Sequence, residues 1–396
     1  MKIFQINTVC GVGSTGRIAT DLYHVLKKEG HSCCIGYGRG SAPADVESYK
    51  IDSTADVYLH TLFSRLTDGE GLYSKKATER LVAFMKSYDP DIIHLHNIHG
   101  HYLHYPTLFN FLADYQKPVV WTLHDCWAFT GHCAHFDYVG CSLWKTGCHD
   151  CPELGSYPQS YGVDHSRRNF ERKKTLFTSV KNLHLVTPSQ WLADLVKESF
   201  LGKYPVQVIH NGIDTSIFKP TPSDFREKYN LQDKKIILGV ASPWTSRKGL
   251  QDFIKLAAML PDEWKIVLVG LSAEQKSSLP ASIIGLERTD SAKELAQLYT
   301  AADVFFNPTY EDNYPTTNLE ARACGTPVVT YNTGGSPESA GENGIVVEKR
   351  NLTLACDRII NFIDLSSVAT KDLLDKEKMF LAYLFLYTHI VEKNLF

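Results

Sequence analysis

Short apolar runs alternate with amphipathic stretches along the chain. Lys2 to Val9 reads as a buried strand, and Arg17 to Glu29 as a helix with Ile18, Leu22, Val25 and Leu26 on one face. Further strands are expected at His31 to Tyr37, Asp91 to His96, Val119 to Leu123 and Leu183 to Thr187, the last closed by Pro188. After Pro205 a second series begins, with strands at Val206 to His210, Ile236 to Ala241, Trp264 to Gly270, Ser282 to Glu287, Val304 to Asn307, Val328 to Tyr331 and Ile345 to Glu348. Helices are expected between most of these, among them Leu250 to Leu260 and Ala292 to Ala302, and Asp372 to Lys393 reads as helix. Strand–helix alternation implies α/β architecture with parallel sheets covered on both faces, and two series imply two doubly wound domains. Ligands in such sheets bind outside the carboxyl ends of the strands, which decides which motifs matter.

The length, 396 residues, fits this division. Apolar residues at 43% and charged residues at 21% exclude a disordered chain or a small disulfide scaffold. A net charge of -3 argues against a dedicated nucleic-acid binder. No signal peptide or membrane span is read: the best uncharged run, Met379 to Val391, is far shorter than the ~20 residues a span needs. The expectation is a cytoplasmic protein, with peripheral contact with the inner membrane left open. Ten cysteines are then thiols or metal ligands rather than disulfides.

Gly11-x-Gly13-x-x-Gly16 stands between a strand and a helix, where glycines let backbone N–H groups approach a phosphate. A nicotinamide site also wants an acidic residue ending the second strand. That strand runs into Gly36-Tyr37-Gly38-Arg39, so NADP, a phosphate- or substrate-facing loop, and a structural turn remain the readings. Asp89-Pro90-Asp91 has the letters of a metal-holding Asp-x-Asp but lies at the amino end of its strand, as a solvated turn would. Cys133, Cys141, Cys148 and Cys151 have spacings that suit a closed structural zinc, with His132, His135 or His149 able to replace a thiolate. Unliganded thiols or a redox site are the alternatives. Nine of the sixteen histidines fall between His94 and His149, and His124-Asp125 ends a strand where an imidazole beside a carboxylate can orient a hydroxyl or a phosphate. Arg247-Lys248-Gly249 precedes a helix on the ligand side, as a diphosphate cradle would. Asp312 and Glu320 place carboxylates where they can accept from sugar hydroxyls, with Pro315 opening the helix that carries Glu320. Arg167, Arg168, Arg172, Lys173, Lys174 and Lys181, interleaved with Phe170, Leu176 and Phe177, read either as a solvated helix face or as a patch for anionic lipid.

As a set these motifs resemble the retaining, nucleotide-sugar-dependent glycosyltransferases of family 4, which have the GT-B fold. The resemblance rests on Val208-Ile209-His210-Asn211-Gly212-Ile213-Asp214 with Phe218, on Asp303 to Pro308, on Asp312-x7-Glu320 and on Ala323-Cys324-Gly325-Thr326-Pro327-Val328-Val329. It extends to Asn332-Thr333-Gly334-Gly335, Pro90 to His96 and Thr122-Leu123-His124-Asp125. The chain is similar to the branch making bacterial capsule, O-antigen or exopolysaccharide, colanic-acid transferases included, and Trp127 to Pro152 resembles a cysteine loop of that branch. The resemblance implies two Rossmann-like domains facing across a cleft: 1–188 for the acceptor, with the cysteine-rich loop at 126–152; a linker at 189–205; 206–370 for the donor; and a helix at 371–396 packing back on the first domain. It implies a hexosyltransferase-type enzyme needing no catalytic cofactor or metal, in which a nucleoside diphosphate sugar serves a glycan or polyprenyl-diphosphate-linked acceptor. Catalytic roles then fall to His124, Arg247, Lys248 and Asp312. Donor contacts fall to Gly13, Gly16, Arg247, Lys248, Arg288, Asp312, Asn313, Tyr314 and Glu320. Two departures stand out. Asp312 holds a position where the family usually has Glu, and the family's separate phosphate-binding Arg is missing from Val240-Ala241-Ser242-Pro243, so that either Arg247 beside Lys248 replaces it or the site has one cation fewer. A GT-B epimerase or phosphorylase, a zinc-containing NADP oxidoreductase and a non-catalytic zinc-stabilised binding protein are the rival readings.

Overall fold

The computed structural model describes residues 1–361 and 375–393. The chain divides into two compact units, Met1–Ile209 with Phe380–Phe396, and His210–Met379. The first holds a parallel sheet of β1 (Lys2–Val9), β2 (Ser32–Arg39), β3 (Ser48–Lys50), β4 (Ile92–Leu95), β5 (Val119–Thr122), β6 (Leu183–Thr187) and β7 (Val206–Val208), in the order β3-β2-β1-β4-β5-β6-β7. The second holds β8 (Lys235–Val240), β9 (Trp264–Val269), β10 (Ile283–Leu286), β11 (Val304–Asn307), β12 (Val328–Tyr331) and β13 (Ile345–Val347), in the order β10-β9-β8-β11-β12-β13.

Alternation along the strands covers both faces of the second sheet. Ile237, Ile266 and Leu268 enter one core, with Phe253 and Phe306. Their neighbours Ile236, Leu238, Val267 and Val269 enter the other, with Tyr299 and Phe305. The first unit's core is built on Phe4, Ile6, Ile93 and Leu95, with Trp121, Trp127 and Phe177 stacked around them.

In each sheet the strand order reverses once, between β1 and β4 and between β8 and β11. Loops leaving neighbouring strands there run in opposite directions and open a crevice at the carboxyl edge.

The structure differs from the reading in three places. The stretch expected as a linker contains the helix Gln190–Glu198, capped by the Ser189 side chain, which accepts from Leu192 N–H. That helix is a crossover returning to β7, which pairs with β6 in the first sheet rather than opening the second. A three-residue run carries no mark of which sheet it joins. The edge strand β3 was not expected, because Ser-Tyr-Lys has no apolar run. The C-terminal helix spans Lys376–Lys393, and the residues expected to begin it, 372–374, lie outside the described residues. Its Tyr387 hydroxyl lies 2.6 Å from His94 Nδ1 and its Tyr383 hydroxyl 3.0 Å from Thr122 Oγ1, both in the first unit. No helix among the described residues is long and apolar enough to cross a membrane.

Candidate active site

In the second unit the chemistry gathers at the β8/β11 reversal. The loop after β8 ends in the short turn Ser246–Lys248, and the loop after β11 carries Glu311 and Asp312. Lys248 Nζ meets Asp312 Oδ2 at 2.5 Å, and Arg247 meets Glu311 at 3.2 Å. The two loops are also sewn together through their backbones, Tyr310 N–H donating to Arg247 O at 2.7 Å. Gly249, at φ 76°, continues the turn into the helix Leu250–Ala257, and a Cβ there would lie 2.3 Å from Pro308 O. Gly334 does the same for the other wall: a Cβ would lie 1.8 Å from Asp312 O, which accepts from Gly335 N–H. Buried Asp252 accepts from the Tyr310 and Tyr331 hydroxyls, both at 2.7 Å, anchoring the Asp312 loop from below. Tyr314 stacks on His210 with centroids 4.9 Å apart.

The structure therefore brings Arg247, Lys248 and Asp312 together, with Asn313 and Tyr314 in the same loop. Glu320, on the helix Thr316–Ala323, accepts from the Tyr299 hydroxyl at 3.0 Å. Arg288 is exposed just beyond β10, two strands from β8 in the sheet. Sequence reasoning missed Asp252, Glu311's pairing and His210. The Asp252 and Tyr331 contact joins residues far apart in the chain and left no local sign.

In the first unit the β1/β4 reversal brings the Gly11–Gly16 turn beside the histidine-rich loop after β4. Gly13 opens the helix Gly13–Lys28, and Gly16 packs against Val9. His124 Nε2 lies 3.2 Å from His96 Nδ1, and His96 Nε2 lies 3.0 Å from Gln5 Oε1. Gln5 donates its amide to Ala19 O and Cys33 Sγ, so Oε1 is the acceptor facing His96. His96 therefore carries its proton on Nε2, and His124 donates from Nε2, leaving its Nδ1 as the unprotonated nitrogen. Burial lowers the His124 pKa to about 4, the charge on His99 lowering it further and Asp125 opposing, so the ring is neutral near pH 7. Asp125 is taken by His99 Nε2 at 2.8 Å, and His99 Nδ1 meets the Tyr157 hydroxyl at 2.8 Å. His94 is a core residue, bonded on both nitrogens to Thr122 and Tyr387.

Asp89 and Asp91 serve the amino edge, Asp89 pairing with Lys117 at 2.7 Å and Asp91 accepting from Lys2 N–H at 2.8 Å. Cys133, Cys141, Cys148 and Cys151 line one small apolar cavity together with His132. His132 Nδ1 is bonded to Asp68 at 2.5 Å, while its buried Nε2 has no hydrogen-bond partner among the described residues. The Cys151 thiol is lowered to about 7, chiefly by a hydrogen bond from Cys133 against the cost of burial. Among the described residues, the ligand atoms gathered within 4.8 Å of one another are those of His60, Glu70 and His101 rather than the thiols. That trio is closed on itself: Glu70 pairs with His101, and His60 bonds Ser74 and accepts from Gly71 N–H.

Of the basic stretch and its interleaved apolar residues, part faces inward. On the helix Ser166–Phe177, Phe170, Lys173 and Phe177 turn inward. Lys173 donates to Trp127 O at 2.7 Å and Thr130 O at 3.2 Å, with its ammonium 3.4 Å above the Trp127 ring. Arg167, Arg168 and Lys174 remain exposed.

A family model described as Glycosyltransferase Family 4 matches residues 15–217, and one described as Glycosyl transferases group 1 matches residues 223–373. An Escherichia coli (strain K12) protein named for colanic acid biosynthesis, the glycosyl transferase WcaC, is 26% identical over 388 residues, 92% of this chain and 90% of that protein. The N,N'-diacetylbacillosaminyl-diphospho-undecaprenol alpha-1,3-N-acetylgalactosaminyltransferase of Campylobacter jejuni is 26% identical over 183 residues, 42% of this chain and 48% of that one. Anabaena HepE, solved in complex with UDP-glucose, matches with TM-score 0.65 over 98% of this chain and 100% of that chain at 16% identity, a likeness of fold.

Proposed function

This chain belongs to glycosyltransferase family 4, and we propose that it moves a sugar, with retention of configuration and without a catalytic metal, from a nucleoside diphosphate to a glycan acceptor in bacterial surface polysaccharide synthesis. The carrying observation is the pairing of Arg247 with Glu311 and Lys248 with Asp312 across the loops that leave β8 and β11. Charge builds on the departing diphosphate in an oxocarbenium-like transition state. Two fixed cations at a strand-order reversal stabilise that charge more than they stabilise the ground state. Before the donor binds, the carboxylates hold those cations in place; the diphosphate then takes over from them, and Asp312 is released toward the sugar hydroxyls. Asn313, Tyr314, Glu320 and Arg288 complete the donor set in the second unit, and Gly13 and Gly16 offer a phosphate-facing turn in the first. His124, neutral near pH 7 and next to Asp125 after β5, is the imidazole placed to orient a substrate hydroxyl.

The polyprenyl-linked acceptor finds support in the name of the Campylobacter relative, a polysaccharide role in that of the Escherichia coli relative, and a uridine donor in the HepE complex. Peripheral contact with the cytoplasmic face of the inner membrane belongs to the same reading. The cysteine loop has the donor set of a structural zinc: Cys133, Cys141, Cys148 and Cys151, with the unpartnered His132 Nε2 oriented by Asp68 as a metal-binding histidine is. Such a zinc would cross-link the loop and take no part in transfer. The test is incubation of UDP-sugars with undecaprenyl-diphosphate glycans in anionic liposomes, followed by NMR of the product. An α-linked product from an α-linked donor, formed in the presence of EDTA, is expected; an inverted product would overturn the retaining reading.

A further inference from the structure

Beyond the donor loops, the first unit has a cavity of about 420 Å³ at the carboxyl edge of its sheet, lined by Arg39, Arg65, His101, Ser156, Tyr157 and Gln159 among others. Arg39 is the last residue of β2, and His101 lies in the loop that follows β4. Arg65 comes from the helix Thr54–Thr67, and the remaining three come from the end of the cysteine-rich segment. The volume falls within the range of small-ligand sites, roughly 300–1,000 Å³.

What distinguishes this cavity is its charge. Neither Arg39 nor Arg65 has a carboxylate partner among the described residues; Arg65 bonds the Tyr161 hydroxyl at 3.2 Å and lies over that ring. The nearby carboxylates are already committed to histidines. Asp68 is bonded to His132 Nδ1 and to His165 N–H. Asp125 is bonded to His99. Glu70 is paired with His101 and accepts the backbone N–H of Gly100 and His101. His101 is held at φ 64°, a costly conformation for a residue with a Cβ, and Glu70 fixes it there as part of the cavity wall. Two arginines thus line a concave space, and among the described residues neither is paired with a carboxylate. Planar N–H forks of this kind match a carboxylate or a phosphate. Tyr157, in the same wall, bonds His99 and through it reaches Asp125, the neighbour of His124.

We propose that this cavity binds an anionic group of the acceptor, a phosphate or a sugar carboxylate, through Arg39 and Arg65, an inference that rests on reading the first unit as the acceptor domain. The test is calorimetric titration of inorganic pyrophosphate and, separately, of glucuronate, with saturating UDP filling the donor cradle, into the full chain and into Lys248→Ala, Arg39→Ala and Arg39→Ala/Arg65→Gln. At least one anion should bind wild type and Lys248→Ala alike. Arg39→Ala should weaken that binding about tenfold, and the double variant should abolish it. A pyrophosphate response points to a lipid diphosphate, and a glucuronate response to an acidic sugar. If the arginine variants bind as wild type does, if only Lys248→Ala loses binding, or if neither anion binds, the proposal is overturned. UDP titrated into the same proteins reads the donor site separately: loss of UDP binding in Lys248→Ala with an arginine-dependent anion site absent would sink this inference and leave the transferase reading standing. Arg39 is exposed and Arg65 half-buried, and melting temperatures measured on the variants check that the fold is kept.

Discussion

Lys248 and Arg247 are adjacent cations with different surroundings, and the difference separates their roles. The Lys248 and Asp312 side chains are 35% and 19% exposed, so removing the lysine leaves a carboxylate that water can still reach. Glu311 is only 3% exposed, so removing Arg247 takes a cation away from a carboxylate that water does not reach. Lys248→Ala should therefore lower kcat/KM by about 10²–10³, the usual effect of losing one group that stabilises transition-state charge, with an unchanged melting temperature. Arg247→Ala should lower both activity and stability, the latter by roughly 1–3 kcal/mol. Arg247→Ala/Glu311→Gln should recover the stability without the activity. Steady-state kinetics and thermal denaturation on the four proteins check this. Equal destabilisation by Lys248→Ala and Arg247→Ala would contradict the assigned environments. The Arg-Lys pair was legible in the chain because it stands before a glycine and a helix. Its carboxylate partners were half legible: Asp312 was found through its spacing from Glu320, whereas Glu311 passed as its neighbour.

The helix Ser166–Phe177 shows what composition conceals and periodicity reveals. Counting its cations suggested a solvated face or a lipid patch and placed Lys173 outside with the rest, but Ser166, Asn169, Phe170, Lys173 and Phe177 follow one another at helical spacing and form its buried face. Lys173 lies on the same stripe as two phenylalanines and is pulled inward with them. Burial lowers its pKa to about 7, while the unfolded chain keeps the ordinary lysine value of ~10.4. Between those values the unfolded state binds a proton that the native state does not, so the native state gains stability as pH rises through this window. Wild type should gain melting temperature relative to Lys173→Met from pH 7 to pH 10, and the difference should flatten below pH 7. A difference that is constant with pH would place the ammonium in water. The misplacement of β7 has a related cause. Val206-Gln207-Val208 satisfies the strand pattern in either sheet, and only the crossover helix Gln190–Glu198 determines which one it joins. The longer strands were legible almost to the residue, because a fully buried parallel strand is a continuous apolar run with a breaker at its end.

Each unit has its own core and its own strand-order reversal, and each reversal gathers one set of candidate groups: cations and carboxylates at β8/β11, histidines and the glycine turn at β1/β4. Two groups that bind different units should therefore leave separate local signatures, and hydrogen exchange reads them peptide by peptide. UDP at about 100 times its Kd stabilises whatever binds it by about 2.7 kcal/mol. Protection should rise in the segments after β8 and β11, around Ser246–Lys248 and Glu311–Tyr314, and also around Gly334, whose backbone leans on Asp312. The proposed zinc would sit in the other unit. Elemental analysis should find about one zinc per chain, and chelation or Cys148→Ser should lower protection across 126–166. That segment is tied to the core by His132, Asp68 and the inward face of Ser166–Phe177, so loosening it should reach Lys173 and Trp127. The peptides after β8 should stay unchanged by the chelator, and EDTA should not stop transfer at once. Protein purified without chelators yet free of metal would leave the cysteines as buried thiols. Loss of UDP protection on chelation would mean that the metal belongs to the donor site and that its assignment as structural is wrong.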